Sequence, residues 1–123
     1  MTHPVAAGRE LIRRLEELVR RRLSFVVETT LASRHYADRL RAWSASGYRT
    51  TLHFIEVPSA DYVVARVARR VAAGGHAIPE ADVRRRFQRG RPMFEGVYKP
   101  LVDRWYHWTS DDQGLRLHQR SSQ

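Results

Sequence analysis

The sequence predicts an α/β fold: a mostly parallel sheet of about three strands flanked by helices. Three observations predict it. Segments with helical periodicity alternate with short strand-like runs, which is the order expected of βαβ units. The first of those runs is continuously apolar and rich in β-branched residues, as in strands buried on both faces. The chain has 123 residues, 42% hydrophobic and 28% charged, which suits one soluble domain.

Residues 5–22 form the first predicted helix. Ile12, Leu15, Leu18 and Val19 make an apolar stripe at three-to-four spacing. Arg13, Arg14, Glu17, Arg20 and Arg21 make the solvated side, where Glu10–Arg14 and Glu16–Arg20 stand at ion-pair spacing. Leu23-Ser24-Phe25-Val26-Val27 reads as the first strand and ends in Glu28-Thr29-Thr30. A second helix follows from about Arg34 to Ser46, with Ser33 as N-cap and Gly47 as terminator. Ala37, Leu40 and Trp43 form its inner side.

Residues 50–57 are the second strand, stopped by Pro58. Ser59 caps a third helix, Ala60 to Ala73, with Val63, Val67 and Val71 on its buried side. Gly74 to Pro79 is a loop. Helix resumes from Glu80 to about Arg89, is interrupted by Gly90 and Pro92, and continues from Met93 to Leu101. Arg104 to Trp108 is the third strand. Residues 1–110 are thus the folded part, and 111–123 a polar, partly disordered tail.

Composition excludes several classes. No apolar run approaches the ~20 residues of a membrane helix. The N-terminus lacks the apolar core of a secretory signal. Without cysteine there is no disulfide and no thiolate metal site, so a cytoplasmic location is expected. The six histidines have no metal-ligand spacing, and no metal site is assigned. His53 reads as a sheet residue, and Tyr36, Trp43, Trp105 and Trp108 as packing residues rather than a base-stacking platform. The net charge of +9 points to a polyanion, but 21 of the 22 basic residues are arginine. A GC-rich genome produces the same bias, so charge is a weak pointer to nucleic acid.

In parallel sheets, ligands bind beyond the carboxyl ends of the strands. That rule selects Glu28-Thr29-Thr30, the stretch from Glu56 to Ser59, and Thr109-Ser110. The carboxylate of Glu28 and the hydroxyls of Thr29 and Thr30 could bind sugar hydroxyls, hydrated magnesium or phosphate. The second candidate is the arginine-rich stretch around the glycine loop. Arg66, Arg69 and Arg70 precede it, and Arg84, Arg85 and Arg86 follow it. Guanidinium groups on two helices joined by Gly-Gly could close on phosphates as a lid.

The series Ser24 to Ser33, Gly47-Tyr48-Arg49, Arg66-Val67 to Arg70-Val71, Gly74-Gly75-His76-Ala77-Ile78-Pro79 and Arg85-Arg86-Phe87 resembles the zeta-toxin family of P-loop kinases. The resemblance covers residues 5–110. It implies a P-loop-kinase-like three-layer fold. It also implies phosphotransfer from ATP, with Mg²⁺, to a small hydroxyl-bearing acceptor of the nucleotide-sugar type. Acceptor binding would fall to Glu28 and Thr30, and phosphate stabilisation to Arg66 or Arg70. A further arginine of the family, three residues before the loop proline, is replaced here by His76. One of Arg84, Arg85 and Arg86 could take over its role.

These 123 residues contain no GxxxxGK[ST], and the single lysine is Lys99. The resemblance therefore implies an incomplete domain, the C-terminal part of a kinase, from a truncated gene or a misplaced start. In the family's sheet the P-loop strand lies between the strands here placed at 23–28 and 51–57. Its absence should leave exposed strand edges and favour self-association. The expected activity is none without the nucleotide-activating half. The competing reading is a small basic α/β module that binds nucleic acid or protein.

Overall fold

A computed structural model describes residues 4–29 and 31–122. Its elements are helices α1 (Pro4–Arg20) and α2 (Ala37–Ala45), strand β1 (Thr51–Glu56), helices α3 (Ala60–Ala72) and α4 (Glu80–Met93), a π-helical stretch (Phe94–Tyr98), a 3₁₀ turn (Lys99–Leu101), and strands β2 (Arg104–Asp111) and β3 (Gly114–Arg120).

The fold is mixed α/β, with sheet order β1-β2-β3. β1 and β2 run parallel, with Thr51 opposite Arg104 and Glu56 opposite Thr109. β2 and β3 run antiparallel, so the sheet is mixed rather than mostly parallel. Asp103 fixes the parallel register. Its carboxylate accepts from the Thr50 N–H at 2.8 Å, and its own N–H donates to the Thr50 carbonyl at 3.0 Å.

Three expectations are corrected. Residues 23–29 lie in no strand. Phe25 and Val27 pack against the core while Val26 is 94% exposed. An apolar run signals burial of its side chains. It does not supply a neighbour for its backbone. Second, the tail is not disordered: residues 114–120 form β3. Asp111 accepts from the Gln113 N–H at 2.8 Å and pairs with Arg116 at 2.8 Å, and Gly114 takes φ 113°, which closes the hairpin. Third, α4 runs through Gly90 and Pro92 to Met93. Pro92 removes one helical N–H, and the next turn widens into the π-helix.

The core gathers on one face of the sheet. Leu15 of α1, Leu31, Tyr36, Ala37 of α2 and Tyr98 are buried together, and Leu52 and Phe54 of β1 pack against them. No buried cluster forms on the opposite face among the described residues, so helical cover of both faces is not found. Phe94 and Tyr98 are fully buried, and Phe94 stacks on Phe54 at 4.5 Å. Ser59 caps α3 as expected, accepting from the Tyr62 N–H. Ser33 does not cap α2; its hydroxyl accepts from the His35 N–H one turn earlier. On α1, Glu10 pairs with both Arg13 and Arg14, and Arg20 takes Glu17 rather than Glu16. No helix among the described residues is long and apolar enough to cross a membrane.

Candidate functional site

The chain segment after Val27 leaves the core side and turns. Glu28 and Thr29 are exposed. The Thr29 hydroxyl accepts from the Leu31 N–H at 3.3 Å, and Leu31 adopts φ 54° with its side chain buried. Thr29 therefore braces the turn that ends this segment. Thr30, the other hydroxyl expected to bind acceptor, lies outside the described residues. Beyond the turn, Ala32 and Ser33 form one wall of an open cleft of about 530 Å³.

Asp82, Arg85, Arg86 and Arg89 of α4 form the other wall. Their three-to-four spacing puts them on one side of the helix. Arg85 pairs with Asp82. Arg86 and Arg89 make no ion pair with any described residue. Three guanidinium groups against one carboxylate leave two uncompensated positive charges in this cleft. Arg89 was not among the residues singled out in the sequence, although its position one turn after Arg85 and Arg86 carried the signal.

The wall is held from beneath by Tyr98, which is fully buried. Its hydroxyl donates to the Ser33 carbonyl at 2.6 Å and accepts from the Tyr36 N–H at 3.2 Å. Burial pushes the phenol above its ordinary value, and the Tyr36 N–H opposes the shift.

The structure does not bring the other candidates into the cleft. Arg66 and Arg70 are exposed on α3, and His76 is exposed in the loop after it. Arg84 is a clasp between helices: it pairs with Asp61 of α3 at 2.7 Å and with Glu80 at 3.3 Å. Those hydrogen bonds, Asp61 first, raise its already high pKa. At the carboxyl end of β1, Glu56 lies 3.0 Å from Nε2 of the buried His107 and 3.5 Å from Arg91. The position of Glu56 was legible from the strand-end rule; its partner His107 was not, because strand periodicity does not reveal cross-strand pairs.

Lys99, the single lysine, sits between Glu95 at 2.7 Å and the Trp105 ring at 4.0 Å. No group of three His, Asp or Glu side chains able to hold a metal occurs among the described residues.

Comparison with known proteins matches residues 5–118 to the family described as Zeta toxin. A Haemophilus influenzae (strain ATCC 51907 / DSM 11121 / KW20 / Rd) protein, described only as an uncharacterized protein, is 28% identical over 83 residues. That similarity covers 68% of this chain and 59% of the relative, less than two thirds of its length. No solved structure matches the chain.

Proposed function

The chain belongs to the zeta-toxin family, and from that premise we propose that it forms the acceptor-side and lid-side part of a phosphotransferase. It binds a small hydroxyl-bearing acceptor that carries phosphate, of the nucleotide-sugar type, and transfers no phosphate by itself. Nucleotide and magnesium dependence come with the family. The groups that would cradle and activate ATP are not among these residues, so no step through it is assigned.

One observation carries the reading: Arg86 and Arg89, without ion-pair partners among the described residues, face Ala32 and Ser33 across a single cleft. Arginine binds phosphate bidentately and stays charged at every accessible pH. Glu28 stands four residues before the cleft wall, where its carboxylate can accept from acceptor hydroxyls. Arg66, Arg70 and His76 are the mobile side of this reading and contact phosphate only on closure of the loop.

Isothermal titration of the purified chain with a nucleotide-activated amino sugar tests it. Arg86→Ala and Arg89→Ala should each weaken binding by about one to two decades, as for loss of a charge-assisted hydrogen bond of ~1.5–3 kcal/mol. Arg66→Ala should stay within twofold in the isolated chain. Equal effects at all three positions would sink the cleft as the binding site. Magnesium-dependent ADP release should not exceed background; robust turnover would require a nucleotide site of another kind.

A further inference from the structure

The face of the sheet opposite the core has its own chemistry. Strand alternation places His53 and Ile55 of β1, Tyr106 and Trp108 of β2, and Leu115 and Leu117 of β3 on it. His53 is a satisfied sheet residue, as expected, but it is exposed; Trp108, read as a packing residue, is half-buried, and Ile55, Leu115 and Leu117 are 52%, 54% and 47% exposed. The Trp108 indole N–H donates to His53 Nδ1 at 3.0 Å, with 29° between the ring planes. The Tyr106 ring is stacked on His53 at 4.9 Å and 10°. Tyr106 and Trp108 are stacked as well, at 6.3 Å and 26°, so the three rings are close to parallel.

The charges on this face are of one sign. Arg104 lies opposite Thr51, and Arg120 opposite Tyr106. The β3 bulge at the His107/Trp108 step keeps Arg120 and Leu117 on the same side. Asp111 and Glu56 fall in the other phase of their strands, so the register gives this face no carboxylate.

We propose that this face binds single-stranded nucleic acid, with bases continuing the stack formed by His53, Tyr106 and Trp108 and phosphates paired with Arg104 and Arg120. Stacked aromatics on a sheet hold about two or three bases, and guanidinium groups without competing carboxylates suit a polyanion. A second copy of this chain fits less well. Two such faces together would bring four arginines into one interface with no acidic partner on either side. The inference does not depend on the α4 cleft.

Fluorescence anisotropy of a labelled twelve-nucleotide oligo(U) with the full chain tests the proposal. Trp108→Ala and Arg120→Glu should each weaken binding about fivefold or more, the scale of one lost base stack. Arg120 is exposed and forms no ion pair with a described residue, so its reversal spares the fold if Trp108→Ala does not. Arg21→Glu makes the same charge change beyond the end of α1 and should stay within twofold. A duplex of equal length should bind at least tenfold more weakly, because its bases are already stacked. Equal loss from Arg21→Glu and Arg120→Glu would reduce the effect to net charge and overturn the site. So would an unchanged affinity in Trp108→Ala and Arg120→Glu. Loss of a dimer in either variant, with oligonucleotide affinity unchanged, would reassign the face to self-association.

Discussion

Tyr98 shows how one side chain connects the core to the cleft. Its hydroxyl bridges the π-helical stretch to both Ser33 and Tyr36. Tyr98→Phe keeps the ring and removes the hydroxyl, leaving a carbonyl and an N–H without their buried partner. The expected cost is about 1–3 kcal/mol, read as a shift in urea midpoint at constant slope. The cleft wall should loosen as well, and acceptor affinity should fall with it. The same hydroxyl gives an alkaline signature. The folded phenol ionises above 10.0, the ordinary value. Both states are protonated below that pH, so the full stability is present there. As pH rises through the folded pKa, the unfolded chain has released its proton first, and stability falls. Urea titrations from pH 8 to 11 should show this decline in the parent and lose part of it in Tyr98→Phe. An identical decline in both would place the alkaline effect elsewhere.

At the scale of elements, the C-terminal ends of α2 and α3 agree with the sequence reading. α2 and α3 both close with a glycine in the left-handed region, Gly47 at φ 97° and Gly74 at φ 102°. The Gly74 N–H donates to the Val71 carbonyl and the Gly75 N–H to that of Arg70, the paired bonds of a Schellman cap. The end of α1 has the same two bonds, from Arg22 to Val19 and from Leu23 to Leu18. There the left-handed residue is Arg22, at φ 55°. Arg22→Gly should therefore stabilise by roughly 1 kcal/mol, since a side chain in that region costs ~1–2 kcal/mol. Gly75→Ala should destabilise, because its Cβ would meet the Arg70 carbonyl oxygen at 2.9 Å. Thermal melts of the two variants should move in opposite directions.

β1 and α3 were legible because alternation, Pro58 and the Ser59 cap all mark the same boundaries. β3 was missed because its residues are exposed and charged, although Leu115 and Leu117 carry period two after a Gly114 turn. Residues 23–29 were over-read, since apolarity marks side-chain burial and not backbone pairing. Of the candidate site, Arg85 and Arg86 were legible from charge and helix position. The cleft itself was not, because it depends on which loop returns to lie beside α4.

At the scale of the whole molecule, the unresolved balance is between a small core and open strand edges. Among the described residues the sheet order leaves β1 and β3 each with one unpaired edge. Segment 23–29 adds a stretch of backbone outside any ladder, with Val26 projecting into solvent at 94% exposure. Unpaired N–H and C=O groups beside apolar side chains are templates for strand addition from another chain. Self-association is therefore expected to rise with concentration, and light scattering should show an apparent mass above 14.4 kDa. Val26→Lys puts a charge on that edge, the device by which natural edge strands avoid one another. Because Val26 packs against almost nothing, its replacement should leave the melting temperature within about three degrees, as for surface changes of ±0.5 kcal/mol or less. Association should nevertheless fall. If the parent stays monomeric and melts cooperatively at millimolar concentration, the edges are closed within the chain. If association persists unchanged in Val26→Lys, the contact runs through β3 or the aromatic face, and segment 23–29 has no part in it.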